Sequence, residues 1–188
     1  IDEKIFKSLL NYLENFWNYP LKLSIDREKF MNQCNNFYKK KTSARVKKIL
    51  KLYPELDNEK LINGVKVRKI KDIINDIDWK NLSEGLQKNF HGDLHFENIL
   101  LSRKKNFVLL DWRQDFDKNK ISGDLYYDLA KLLHGMIINH QFVVKGFYKI
   151  KIKENKENLI LPISKRYKKI INFFEEWIKG NGYSLDKI

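Results

Sequence analysis

Residues 91–111, HGDLHFENILLSRKKNFVLLD, break a helical pattern that holds on both sides of them. Elsewhere apolar residues recur every three or four positions. Here two short apolar runs, residues 99–101 and 107–110, are separated by the polar turn 102–106, and together they predict a β-hairpin. Upstream, Ile5, Leu9, Leu13, Phe16 and Trp17 share one face of a helix that Pro20 closes. A second helix follows Asp26 with Phe30, Met31, Cys34 and Phe37. A third, capped by Thr42 or Ser43, carries Val46, Ile49 and Leu50 up to Tyr53-Pro54, and residues 69–79 predict a fourth. Downstream, a helix from Asp124 puts Leu125, Leu129, Leu132, Leu133 and Met136 on one side. Residues 148–152 alternate apolar and charged positions and, with 159–163, predict a surface hairpin. Ser164 caps a last helix ending at Gly180. The fold class expected is α+β: one mainly helical domain over residues 1–188, with short β-hairpins and no internal repeat.

A formal net charge of +13 raises the question of nucleic acid. The lysines are scattered, and the one dense run, residues 39–51, carries Val46, Ile49 and Leu50 at helical spacing. A solvated helix face is the expectation there, with nucleic acid disfavoured as a partner and a general attraction for anionic nucleotides remaining. No stretch has the length and apolarity of a membrane span, and the acidic N-terminal residues do not suit a signal peptide. A cytoplasmic setting is the default. The single cysteine, Cys34, excludes an internal disulfide framework and reads as inert.

The chemistry concentrates at the hairpin. Phosphoryl transfer needs a carboxylate to orient the attacking hydroxyl and hard oxygen ligands for the cations on the nucleotide phosphates. Asp93 and Asn98 lie five residues apart across a short loop, and Asp111 ends the second apolar run. That spacing lets one carboxylate face a substrate while an amide oxygen and a second carboxylate turn to a cation. His95 fits either substrate contact or packing beside the loop. Trp112 fits an acceptor pocket or the core, and Arg113 fits a phosphate contact or an ion pair with Asp115 or Asp117. Tyr126, Tyr127 and Trp112 together would suit a quaternary ammonium.

The order H-G-D-L-H-x-x-N-I-L, a short hairpin, L-L-D-W and then D-L-A-K-L is similar to the family of aminoglycoside phosphotransferases and choline or ethanolamine kinases, relatives of protein kinases in fold. The resemblance covers residues 90–135. It implies the mainly helical C-terminal lobe of a protein-kinase-like fold, with Asp93 as the catalytic carboxylate and Asn98 and Asp111 as Mg²⁺ ligands. It further implies that His91 and Asp128 support the catalytic loop, Asp128 through backbone hydrogen bonds. The cofactors implied are Mg²⁺ and ATP or GTP, and the partners are a nucleotide and a small-molecule hydroxyl acceptor such as a sugar, amino alcohol or aminoglycoside. The wording DWRQDF followed by GDLYYDLAKLLHG looks more particularly like kinase-like proteins associated with capsular polysaccharide biosynthesis.

The sequence departs from this family in two places. No Gly-rich loop or strand lysine precedes the motif, so the expectation is a fragment lacking the N-terminal nucleotide-binding lobe and, with Ser184 capping a helix barely begun, the extreme C-terminus. Phe96-Glu97 stands where relatives often carry small residues or Pro-Gly, which puts a charge beside the cation ligands or out in solvent. Three rivals remain. A metallophosphoesterase would use Asp93, His95, Gly123-Asp124 and Asn139-His140, but it needs more downstream histidines than His134 and His140 supply. A non-catalytic kinase-fold binding module would explain the missing lobe. A nucleic-acid-binding helical protein rests on charge alone.

Overall fold

The computed structural model describes residues 2–138, 143–153, 156–160 and 165–188. The protein is α+β, with helices forming the body and short strands in three small sheets.

Three helices make the main core. Helix α1, Glu3–Asn18, starts at Asp2, whose carboxylate accepts from the Ile5 amide at 2.8 Å and satisfies an amide that the first turn leaves open. It buries Phe6, Leu9, Leu10, Leu13 and Trp17. The inward face is thus rotated from the expected one: Phe6 and Leu10 replace Ile5, and Phe16 sits at the margin. The other two helices, numbered below as α6 (Leu125–Ile137) and α7 (Lys165–Gly180), contribute Leu125, Leu129, Leu132 and Met136, and Ile170, Phe174 and Ile178. Full burial of each such side chain contributes roughly 1.5–3 kcal/mol.

A second cluster is built on α2, Arg27–Asn35, whose N-cap is the expected Asp26. The helix does not stop. A π-helical turn, Asn36–Lys40, carries it directly into α3, Lys41–Leu52, so the expected cap at Thr42 or Ser43 is absent. Phe30, Cys34 and Phe37 from this rod pack with Phe90 and Phe116, with Phe37 stacked on Phe116 at 4.3 Å between centroids. Burial drives the Cys34 thiol far up from its ordinary range, so it is unreactive. Helix α3 buries no side chain completely, and Lys39, Lys40, Arg45, Lys47, Lys48 and Lys51 are exposed, as the solvated reading requires.

Residues 60–67 form a hairpin that periodicity did not suggest. Strands β1, Lys60–Ile62, and β2, Val65–Val67, are joined by Asn63 and Gly64, both at positive φ (51° and 78°), the pair a tight hairpin turn favours. The expected single helix over 69–79 is two short ones, α4, Ile70–Asp76, and α5, Trp79–Ser83. Strand β3, Gln87–Lys88, leads to loop 91–98. The central hairpin is β4, Ile99–Leu101, against β5, Phe107–Leu109, with Ile99 opposite Leu109. Strand β6, Gly123–Asp124, pairs with β3 and ends at Asp124, the N-cap of α6.

The late hairpin is shifted from expectation: β7, Lys149–Lys153, pairs with β8, Lys156–Ile160, so its second strand starts three residues earlier than predicted. Strand β8 also pairs parallel with β1, giving a four-stranded sheet of order β2-β1-β8-β7. Helix α7 follows and ends at Gly180 as expected; Ser164, its predicted cap, lies outside the described residues. No helix among the described residues is long and apolar enough to cross a membrane.

Candidate active site

Loop 91–98 is tied to the core at both ends of its backbone. Leu94 is fully buried in the main cluster, so its neighbours Asp93 and His95 point away from it. From α6, Asp128 reaches into the loop: Oδ2 accepts from the His91 amide and Oδ1 from the Gly92 amide, both at 2.8 Å, while Trp17 Nε1 donates to Oδ2 at 3.0 Å. Three donors meet an acceptor-only group, a match that Asn cannot reproduce. Burial nonetheless pushes the Asp128 carboxyl up to about 6, against the pull of these donors. The backbone hydrogen bonds expected of Asp128 are therefore present.

His91 is fully buried and orders the loop from within. Its Nδ1 accepts from the Asp93 amide at 3.2 Å, which makes Nε2 the protonated nitrogen, donating to the Leu110 carbonyl at 2.6 Å. Burial lowers its pKa and keeps the ring neutral, as this arrangement requires. Gly92 has φ 80°, and a Cβ there would run into the Arg113 side chain and the Phe90 ring, so only glycine fits.

These ties bring loop and hairpin together. The Leu110 amide donates to the Asn98 carbonyl and the Arg113 amide to the His91 carbonyl, each at 2.9 Å. Asn98 is buried at 7% exposure; its Nδ2 donates to the Asp93 carbonyl at 3.0 Å, which fixes the amide. Asp111 follows Leu110 directly, is exposed, and has φ 53°, a left-handed conformation that Asp tolerates better than most residues. No hydrogen bond or ion pair engages its carboxylate among the described residues. Two hard oxygen donors from adjacent strand ends, one neutral and one anionic, fit Mg²⁺, which ordinarily takes one or two protein ligands beside phosphate and water.

Asp93 shares the loop with Asn98, whose Nδ2 donates to its carbonyl. Lys131 Nζ, from α6, is 2.7 Å from Asp93 Oδ1, and His95 Nε2 is 3.5 Å from Oδ2. Partial burial alone would raise the Asp93 carboxyl; the Lys131 ammonium, with His95 and His91, outweighs it and holds the group below the usual carboxylate range. Lys131 was not singled out in the sequence, although it is the lysine of D-L-A-K-L, one helical turn after Asp128. His95 and Lys131 also line a cleft of about 270 Å³ with Phe96, Glu97 and His134. Glu97 Oε2 lies 3.4 Å from His95 Nδ1, so it faces the histidine side of this cleft.

The remaining expectations divide. Trp112 is half exposed; it packs edge-on to Phe16 and beside His91, and its Nε1 donates to the Leu109 carbonyl at 3.1 Å. Arg113 makes no ion pair with Asp115 or Asp117. Those carboxylates accept from the Lys118 amide and Asn36 Nδ2, and the Arg113 guanidinium lies 5.0 Å from the Phe37 ring centroid. The three-ring wall is not assembled: Tyr126 packs against Tyr183, Tyr127 against Phe37 and Tyr38, and Trp112 against Phe16. Asp124, needed by the metallophosphoesterase reading, is completely buried and accepts from Tyr38 Oη, the Leu86 amide and the Tyr126 amide at 2.6–3.1 Å. Asn139 and His140 of that reading lie outside the described residues, and no group of three His, Cys, Asp or Glu able to hold a metal occurs among the described residues.

Lys41 is the other residue missed. Its Nζ is buried and has no hydrogen-bond partner, lying 4.3 Å from the Phe37 centroid and 5.7 Å from that of Tyr127. Desolvation, then the charges of Arg113, Arg45 and Lys131, lower its pKa to about 8, with Asp93 acting in opposition.

Compared with family models, curated proteins and solved structures, the chain matches none.

Proposed function

We propose that the chain is the mainly helical lobe of a kinase-like phosphotransferase, which moves the γ-phosphoryl of ATP or GTP to a hydroxyl of a small molecule. The single observation that carries the reading is the clamped loop. One buried carboxylate, Asp128, holds the His91 and Gly92 amides, and one buried neutral imidazole, His91, accepts from the Asp93 amide and donates to the Leu110 carbonyl, while Asn98 Nδ2 donates to the Asp93 carbonyl, so the backbone at Asp93 and just before Asp111 is fixed. Immobilised oxygen groups are what phosphoryl transfer asks of a protein, because its catalysis is mostly positioning and charge neutralisation.

In this mechanism Asp93 accepts a hydrogen bond from the acceptor hydroxyl and aims its lone pair. Asn98 and Asp111 would hold Mg²⁺, which would neutralise charge on the nucleotide phosphates. Lys131 keeps Asp93 ionised until the acceptor arrives. Sugars, amino alcohols and aminoglycosides are the acceptor classes of the resembling family, and surface-polysaccharide synthesis is the setting suggested by DWRQDF and GDLYYDLAKLLHG.

A second reading, a non-catalytic kinase-fold binding module, is favoured by the 2.7 Å Lys131 contact, which occupies one oxygen of Asp93. Magnesium-dependent ATP and GTP turnover by the full-length protein against a panel of hydroxyl compounds separates the two. Asp93→Asn and Asp111→Asn are each expected to cut turnover at least a hundredfold, an electrostatic and positioning loss of at least about 2.7 kcal/mol. Turnover that survives both substitutions unchanged sinks the mechanism, and tight nucleotide binding with no turnover selects the binding module.

A further inference from the structure

Lys41 stands out because the fold gives it nothing to bind. An ammonium withdrawn from water without a hydrogen-bond acceptor is costly, and two aromatic faces offset that only in part. The cost is compounded by company. Arg113, Arg45 and Lys131 all act on Lys41 with like charge, and Asp93, already engaged by Lys131, acts the other way. Lys41 also begins α3 immediately after the π-helical turn, a local irregularity that recurs at functional sites.

We propose that the hydroxyl acceptor carries an acidic group, a phosphate or a carboxylate, and that Lys41, with Arg113 and Lys131, receives that group beside Asp93. The inference rests on the phosphotransferase reading for the word acceptor, and on the cation cluster alone for the anion. An anion here supplies the acceptor that Lys41 Nζ lacks. Arg113 offers it a planar fork of donors, and Lys131 is drawn from Asp93 Oδ1, freeing that oxygen for the hydroxyl. The same cluster disfavours cationic acceptors. Of the rings suited to a quaternary ammonium, Tyr127 is already faced by Lys41, and the neighbouring Phe37 ring is faced by Lys41 and Arg113.

The test is calorimetric titration of the chain, without nucleotide, with glycerol, choline, glycerate and glycerol 3-phosphate. The last two bear the acidic group, one as carboxylate and one as phosphate, and at least one of them is expected to bind while glycerol and choline do not. Lys41→Met is expected to weaken that binding at least tenfold without lowering the melting temperature of the unliganded chain, since it removes a buried unpaired charge. Lys131→Gln repeats the measurement should Lys41→Met fail to fold. Equal binding of all four probes, or anion binding indifferent to both substitutions, overturns the inference. A tenfold loss of Mg²⁺-ADP affinity in Lys41→Met, with anion binding unchanged, reassigns the lysine to the nucleotide and also overturns it. Lys41-dependent anion binding in a full-length protein without ATP or GTP turnover leaves the anion site standing and removes the kinase reading. Turnover of neutral acceptors that is insensitive to Lys41→Met does the reverse.

Discussion

The two hydrophobic clusters are built from the same residue types and finished to different standards. The α1–α6–α7 core closes around Asp128, whose carboxyl has three donors, and Phe6, Leu9, Leu13, Leu94, Leu125, Leu129, Leu132, Phe174 and Ile178 show no exposure. The α2–α3 rod packs one side of its first half, leaves α3 with no fully buried residue, and encloses an ammonium without a hydrogen-bond partner. The lesson is that polar satisfaction tracks positional demand. Among the described residues, the buried side-chain polar atoms that hold loop 91–98 are all answered, whereas Lys41 Nζ of the α2–α3 rod is left open.

The sharpest way to break that comparison is to truncate a large apolar side chain in each region. Phe174→Ala in the closed core is expected to cost about 3–5 kcal/mol, whereas Ile49→Ala on α3 stays within about 0.5 kcal/mol, both read by urea unfolding. Comparable losses would mean that α3 is packed as tightly as α7.

Next in size is a pH effect confined to the core. Asp128 is raised from 3.8 to about 6 on folding, so folding favours its protonated form. Its contribution is fully present below the unfolded value and is lost as pH rises through about 6, an effect on the order of 3 kcal/mol. Asp93, held low by Lys131, has the opposite sign and acts at more acid pH. Unfolding free energies of wild type and Asp128→Asn between pH 4 and 7 isolate the term: their difference should fall with rising pH, and a constant difference refutes it.

Smallest in stability, and most informative for the site, is Asp128→Asn itself at neutral pH. Its amide turns donors towards donors, leaving at least one of the His91, Gly92 and Trp17 N–H groups unanswered at roughly 1–3 kcal/mol each. Amide hydrogen exchange at His91 and Gly92 should accelerate while that of α7 stays protected. Uniform acceleration would show the loop is no separate unit.

Much of this was legible in the chain, and the failures have physical causes. Helices α1, α2, α6 and α7 and the central hairpin follow from periodicity, and the starts of α2 and α6 fall at Asp26 and Asp124 as expected, both of which the structure uses as N-caps. The α2–α3 junction was misplaced because a π turn inserts a residue and breaks the 3.6-residue phase, which reads locally as a helix boundary. The β1–β2 turn carried its signal in Asn63-Gly64, yet strands of three residues give alternation too little length to register. The parallel β1–β8 pairing has no local signature at all. Of the site, Asp93, Asn98 and Asp111 stood out as a spacing. Lys131 and Lys41 did not, because a lysine on a helix is ordinarily solvated, and only tertiary structure puts one against Asp93 and the other over Phe37.

The left-handed backbone at Asp111 has a consequence for which residues the position accepts. Glycine, asparagine and aspartate are the residues a positive φ tolerates well; aspartate and glutamate are the residues that bring an anionic oxygen. Glutamate satisfies the charge and strains the chain, while glycine and asparagine relax the chain and forfeit the charge. Backbone and chemistry are separate filters, and at position 111 a single letter of the alphabet passes both.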